Sequence, residues 1–275
     1  MKNLLRPCSA LPAALAAALA AALPGTLLLL LGLGLAARPA AAAQLHVAVA
    51  ANFLGTLQQL APAFERASGD TLVPSAGATG QLYAQITQGA PFDVFLSADA
   101  ARPQRLEAQR MIVPGSRFIY AVGAVVLWSP RAGVVQDGAQ TLRAGGYRFI
   151  GIANPKDAPY GAAAQQVLTA LGLWGRLNQD KKIVVGENIT QTWQFAASGN
   201  VDMAFVALSQ VIGAGGRISG SWWLPPQSMY APIDQDGVIL SSTPNKAAAQ
   251  RFTHWLRTAP AAAAIIKAAG YHLAD

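Results

Sequence analysis

The chain has 275 residues, a formal net charge of +7, 53% apolar residues and only 12% charged ones. That length allows a sizeable core, and that composition excludes a disordered chain. The longest basic run is Lys181-Lys182, which argues against a nucleic-acid partner.

Residues 1–43 read as a secretory signal rather than part of the folded domain. Lys2 and Arg6 give a positive start, apolar runs cover 11–23 and 27–37, and Ala41-Ala42-Ala43 offers a small-residue cleavage site before Gln44. The competing reading is a retained anchor. Pro24-Gly25 divides the apolar stretch, and neither piece reaches the roughly 20 residues that a bilayer span requires. Cleavage leaves 232 of the 275 residues and, because the leader holds three basic and no acidic residues, lowers the charge from +7 to +4. The only cysteine, Cys8, lies in this leader, so the remainder has no disulfide, thiolate nucleophile or Cys-ligated metal.

Beyond the leader, strand-like runs alternate with amphipathic segments, the pattern of an α/β fold. Residues 45–51 predict a strand, and Leu57, Leu60, Ala61 and Phe64 then fall at helical spacing. Pro62 predicts that this helix is kinked or divided. Strands follow at 70–75 and 93–97, with helices at 81–88 and 103–110. The apolar run 118–128, with Gly123 inside it, suits a strand passing from one lobe to another. Further strands are expected at 148–153, 183–185 and 202–207, helices at 162–173 and 189–198, and a return crossing at 230–240. The segments 247–256 and 260–269 form a helical end. A weak internal echo links 79–93 with 189–202: a turn, a short helix, a glycine, then an aspartate opening an apolar strand.

Four strand-to-helix turns stand out: at Asn52, at Ser75–Gly80, at Asn154–Gly161 and at Gly186–Thr190. Helix starts carry unpaired N–H donors and a positive dipole end, so four of them converging on one cleft would grip an anion. Each turn also has an ordinary reading. Asn52 is a side-chain donor or an N-cap, and Thr79 is a hydroxyl donor or part of a capped loop. Tyr160 donates its N–H and phenol O–H or packs on Pro159, and Ile189 offers a backbone N–H. No P-loop lysine accompanies the second turn. Enzyme chemistry finds little support. His46, His254 and His272 lack metal-ligand spacing, no nucleophile elbow is present, and Asp93 and Asp202 suit structural roles better than an acid/base pair. Trp193, Trp222 and Trp223 either line an aromatic site or pack the core.

Val47-Ala-Val-Ala-Ala-Asn-Phe53, Ser75-Ala-Gly-Ala-Thr-Gly80, Gly89-Ala-Pro-Phe-Asp-Val-Phe-Leu-Ser-Ala-Asp99 and Pro159-Tyr-Gly161 closely resemble the periplasmic molybdate-binding proteins of ABC importers. The resemblance spans nearly the whole chain after the leader. It implies a two-lobed type II binding-protein fold, each lobe a mixed sheet flanked by helices. Lobe one would be 44–123 with 232–275 and lobe two 124–231, with hinge crossings near Gly123 and Pro232. It also implies oxyanion ligands: Asn52, Thr79, Tyr160 and Ile189, with Ala51 adding an N–H where a subgroup has Thr. Ala207 stands where many members have a further Tyr, and Tyr160 is the replacement the resemblance suggests. No residue would ligate the metal itself and no cofactor is implied.

The expectation is therefore a monomeric, non-enzymatic receptor. It would carry molybdate or tungstate to an ABC permease in the periplasm. Receptors for sulfate or phosphate stand as the alternative within the class, and a secreted hydrolase as the alternative outside it.

Overall fold

A computed structural model describes residues 42–273, so the expected leader lies outside the described residues except for Ala42 and Ala43. Two five-stranded sheets organise the chain. The first contains β1 (Gln44–Ala50), β2 (Thr71–Gly77), β3 (Val94–Leu96), β4 (Phe118–Gly123) and β10 (Ile233–Ile239), in the order β2-β1-β3-β10-β4. The second contains β5 (Val125–Ser129), β6 (Ile150–Ala153), β7 (Ile183–Gly186), β8 (Met203–Ala207) and β9 (Ser221–Trp223), in the order β7-β6-β8-β5-β9. In each sheet the first three strands run parallel and the last two antiparallel to their neighbours. The internal echo thus has a structural counterpart: β3 and β8 each occupy the centre of their sheet.

The chain passes between sheets at Ala124 and returns between β9 and β10. The single run expected at 118–128 is really two strands, β4 in one sheet and β5 in the other. The crossing falls next to Gly123 as expected, but both strands are rich in buried apolar residues, so the sequence pattern hides the break between them.

Helices cover the sheets because each buries one apolar stripe. In α1 (Leu54–Ser68) the buried residues are Thr56, Leu57, Leu60 and Phe64. Pro62 does not divide this helix. It lies on the exposed face, where water can satisfy the carbonyl that loses its partner. Phe64 packs edge-on against Phe252 of α9 (Lys246–Thr258), with ring centroids 5.1 Å apart. The remaining helices are α2 (Thr79–Thr87), α3 (Ala101–Ala108), α4 (Gly138–Ala144), α5 (Pro159–Ala170), α6 (Trp174–Gln179), α7 (Ile189–Ala197), α8 (Leu208–Val211) and α10 (Pro260–Ala268). Of these, α4, α6 and α8 are short and were not expected from periodicity, which needs more than one or two turns to show.

Pro74 sits inside β2, which pairs only with β1 and is therefore an edge strand, where a missing N–H does no harm. Two of the alternatives raised above are answered by the packing. Trp193 stacks on Trp128 (centroids 6.5 Å) and Trp223 joins the core, so neither builds an aromatic site. Asp93 accepts from the N–H of His46 (2.7 Å) and from Thr243, while Asp202 accepts from the N–H groups of Arg148 (2.7 Å) and Phe149 (3.3 Å). Both aspartates tie strands together.

Candidate functional site

The four expected turns lie at corresponding places in the two sheets. In lobe one β1 leads into a short 3-10 turn (Ala51–Phe53) and α1, and β2 leads into α2. In lobe two β6 leads to α5 and β7 to α7. All four turns follow the carboxyl ends of parallel strands, where open α/β sheets bind ligands. They meet at one small cavity. Ala51, Asn52, Thr79, Tyr160 and Ile189 all line it, and no charged side chain does.

Each helix start leaves N–H groups without an intrahelical acceptor. Ala51 and Asn52 stand ahead of the first helical hydrogen bond and no side chain caps them. Thr79 opens α2, again without a side-chain cap. Pro159 occupies the first position of α5 and has no N–H, so Tyr160 supplies the first donor there. At α7 the side chain of Asn188 accepts from the N–H groups of Thr190 and Gln191, both at 3.0 Å, and leaves the N–H of Ile189 untouched. The cap thus completes the helix start and spares the donor nearest the cleft.

The side chains are more committed than their sequence suggests. The amide of Asn52 donates to Gln235 Oε1 (2.9 Å) and to the Tyr271 hydroxyl (3.0 Å). Both hydrogens of the amide are thus engaged within the protein. Thr79 is 1% exposed, and its Oγ1 accepts from the N–H of Ala98 at 3.1 Å. With the acceptor side of the hydroxyl engaged, its hydrogen is free to donate. The Tyr160 hydroxyl accepts from Gln235 Nε2 at 3.2 Å. Burial pushes the Tyr160 phenol well above its ordinary pKa, and the nearby tyrosines Tyr271, Tyr120 and Tyr230 add to the rise, so it remains a protonated donor. Burial likewise raises Tyr271 to about 12.

Two glycines make this packing possible. A Cβ at Gly123 would lie 2.0 Å from the Tyr160 hydroxyl. This glycine, expected as part of a hinge crossing, is needed for that close approach. A Cβ at Gly161 would lie 2.1 Å from the carbonyl oxygen of Ala153, so glycine lets α5 start directly against β6.

Sequence reasoning missed Gln235, Tyr120 and Tyr271. Gln235 is fully buried on β10, and its Oε1 also accepts from the Tyr120 hydroxyl at 3.1 Å. Each partner is distant in sequence, so no local spacing signals the network. A buried glutamine is uncommon, and its place between Asp234 and Asp236 on β10 gives the sequence no sign that it is buried. Ala207, at the position expected to have lost a tyrosine, is fully buried in the core.

The lobes also meet directly. The N–H of Gly80 donates to the carbonyl of Asp157 (2.8 Å), Arg102 donates to the carbonyl of Lys156 (2.8 Å), and Gln81 donates to Glu187 (2.9 Å). Ser209 donates to the carbonyl of Asn52 at 3.1 Å.

Two sheets of matching topology, two strand crossings and a shared cleft define a two-lobed solute-binding protein. The chain belongs to that family: the model described as bacterial extracellular solute-binding protein matches residues 45–272. Its relatives include the molybdate-binding protein ModA of Azotobacter vinelandii, 47% identical over 247 residues that cover 90% of this chain and 97% of that protein. The ModA of Rhodobacter capsulatus is 46% identical, covering 89% of this chain and 93% of that one. The solved periplasmic molybdate-binding protein of A. vinelandii superposes with a TM-score of 0.82 at 48% identity, covering 84% of this chain and all of that chain. The sulfate-binding protein SubI of Mycobacterium tuberculosis shares the fold at a TM-score of 0.70 and 15% identity, covering 85% of this chain and 88% of that one.

Proposed function

We propose that this protein captures molybdate between its lobes and delivers it to an ABC permease, acting as a transport receptor rather than an enzyme. The observation that carries this reading is the cavity itself. Four helix starts bring Ala51, Asn52, Thr79, Tyr160 and Ile189 to one small space with no charged wall. A doubly charged tetrahedral oxyanion needs many donors but no full counter-charge, and neutral donors at several helix ends spread the compensation over its oxygens. Such a site disfavours a protonated anion, whose O–H would face a donor.

Closure gives the permease something to recognise, because an anion touching both lobes stabilises the arrangement in which they meet. Tungstate, with the same charge and shape, belongs to the same ligand class. A periplasmic location and a monomeric state complete the proposal. No helix among the described residues is long and apolar enough to cross a membrane.

Calorimetric titration of the mature protein with molybdate, tungstate, sulfate and phosphate tests the reading. Tight binding of the first two alone is the expected result. A preference for sulfate or phosphate would retain the class and overturn the ligand, and binding of none of the four would overturn both.

A further inference from the structure

Gln235 does not itself line the cavity and is shut off from solvent, yet it connects two of the turns that do. It lies on the return strand β10 and is fully buried. Its two ends face groups of opposite need. Oε1 accepts from Asn52 Nδ2 (2.9 Å) of lobe one and from the Tyr120 hydroxyl (3.1 Å), while Nε2 donates to the Tyr160 hydroxyl (3.2 Å) of lobe two. The Asn52 amide, which faces Oε1 and gives its other hydrogen to Tyr271, sets which end of the Gln235 amide is which, because a reversed amide would put N–H against N–H; the Tyr120 hydroxyl, closer to the Ser97 carbonyl (2.9 Å), does not decide it. The fixed amide in turn fixes Tyr160. Its oxygen is engaged as an acceptor, so its own hydrogen must point elsewhere.

Among the described residues no acceptor is found for that hydrogen, although Tyr160 is only 2% exposed. A buried hydroxyl hydrogen without an acceptor is costly. Tyr160 lines the anion cavity, and an oxyanion offers only acceptors. The missing side chain at Gly123 is part of the same arrangement, since a Cβ there would meet both the Tyr160 hydroxyl (2.0 Å) and Gln235 Nε2 (2.7 Å).

We propose that Gln235 is a positioning residue that sets the polarity of Tyr160, holding its hydroxyl hydrogen toward the bound anion. The proposal rests on the oxyanion reading and adds to it a residue outside the ligand's reach that determines how one donor is presented. Glutamate at this position is the informative substitution. Its carboxylate still accepts from Asn52, so the fold keeps that bond. It has no N–H for Tyr160, however, and therefore draws the phenol hydrogen to itself.

The test is molybdate titration of the mature wild type, Gln235→Glu, Tyr160→Phe and the double variant, with thermal unfolding of each. Wild-type binding checks the underlying reading on its own. Given that binding, both single variants should weaken affinity on the order of tenfold or more at pH 8, the effect of losing one hydrogen bond to a charged group. The Gln235→Glu loss should shrink as the pH falls and the new carboxyl takes up a proton that it can donate to Tyr160. In the Tyr160→Phe background the same substitution should cost clearly less than in the wild type, since groups acting through one another are non-additive. Equal costs in both backgrounds would overturn the proposal, as would wild-type affinity in Gln235→Glu. Wild-type affinity in Tyr160→Phe would overturn it without reference to Gln235. Failure of the wild type to bind molybdate would instead remove the oxyanion reading, and the proposal with it.

Discussion

The two lobes have the same sheet topology and bring helix starts to the cavity from corresponding turns, yet they leave the N–H groups there free in different ways. In lobe one the helix starts at Ala51 and Thr79 have no side-chain cap, and a threonine hydroxyl adds to the backbone N–H groups. In lobe two one start is opened by Pro159 and the other is capped by Asn188, which takes the second and third N–H groups and leaves the first. The comparison teaches that the donor available to a ligand is whatever the local capping leaves over. A binding site can therefore be built by incomplete capping as well as by added polar side chains.

The largest expected effect comes from the position where lobe two depends most on close packing. Gly161→Ala would set a Cβ against the Ala153 carbonyl and push the start of α5 away from β6. Unfolding measurements should show a loss of about 1–3 kcal/mol, and titration a fall in molybdate affinity of at least about a hundredfold. A glycine-to-alanine change beside the cavity in lobe one, Gly77→Ala at the end of β2, meets Leu82 (3.4 Å) and Gln81 (3.8 Å) at ordinary contact distance and should leave stability within about 0.5 kcal/mol. Equal damage in the two lobes would break the comparison.

Next in size is Thr79→Ala, which removes a hydroxyl from lobe one. Affinity should fall by roughly tenfold or more with the fold retained, whereas Thr79→Ser should bind nearly as the wild type. Unchanged affinity in Thr79→Ala would mean that lobe one, like lobe two at Ile189, works through its backbone alone.

Asn188→Ala sharpens the contrast from the other side. Losing the cap should lower stability by about 1 kcal/mol in thermal unfolding, while affinity changes less than about threefold because the N–H of Ile189 is untouched.

The smallest effect concerns Asp202 of lobe two. Burial pushes its carboxyl up, but the backbone N–H groups of Arg148 and Phe149, together with Arg131, outweigh this and hold it below its ordinary value. The stability it contributes is complete above the ordinary carboxylate pKa and is lost as the pH falls through the lowered one. Acid unfolding of Asp202→Asn should therefore lack a component of destabilisation that the wild type shows at the acid end of that range.

Much of the fold was legible because strands and helices of this chain carry clear periods. The run 45–51 and the stripe Leu57, Leu60, Phe64 became β1 and α1 as expected. The crossing near Gly123 was legible, whereas the break into two strands at Ala124 was not, since both sides of it are equally apolar; of the two readings that Pro62 allowed, the divided helix is the one that fails. At the site, Ala51, Asn52, Thr79, Tyr160 and Ile189 were all expected and all line one cavity. Their individual roles were less accessible. The side-chain amide of Asn52 is engaged by Gln235 and Tyr271, residues more than 180 positions away, and a link of that span leaves no trace in local sequence.

The bond from the Gly80 N–H to the Asp157 carbonyl joins the lobes main chain to main chain. No point substitution that keeps the backbone path deletes those two groups, proline at position 80 excepted. The geometry of the shut cleft is thus partly insulated from changes in the residues that line it. Lineages built on this scaffold can exchange the side chains that choose an anion while the shape offered to a membrane partner stays the same.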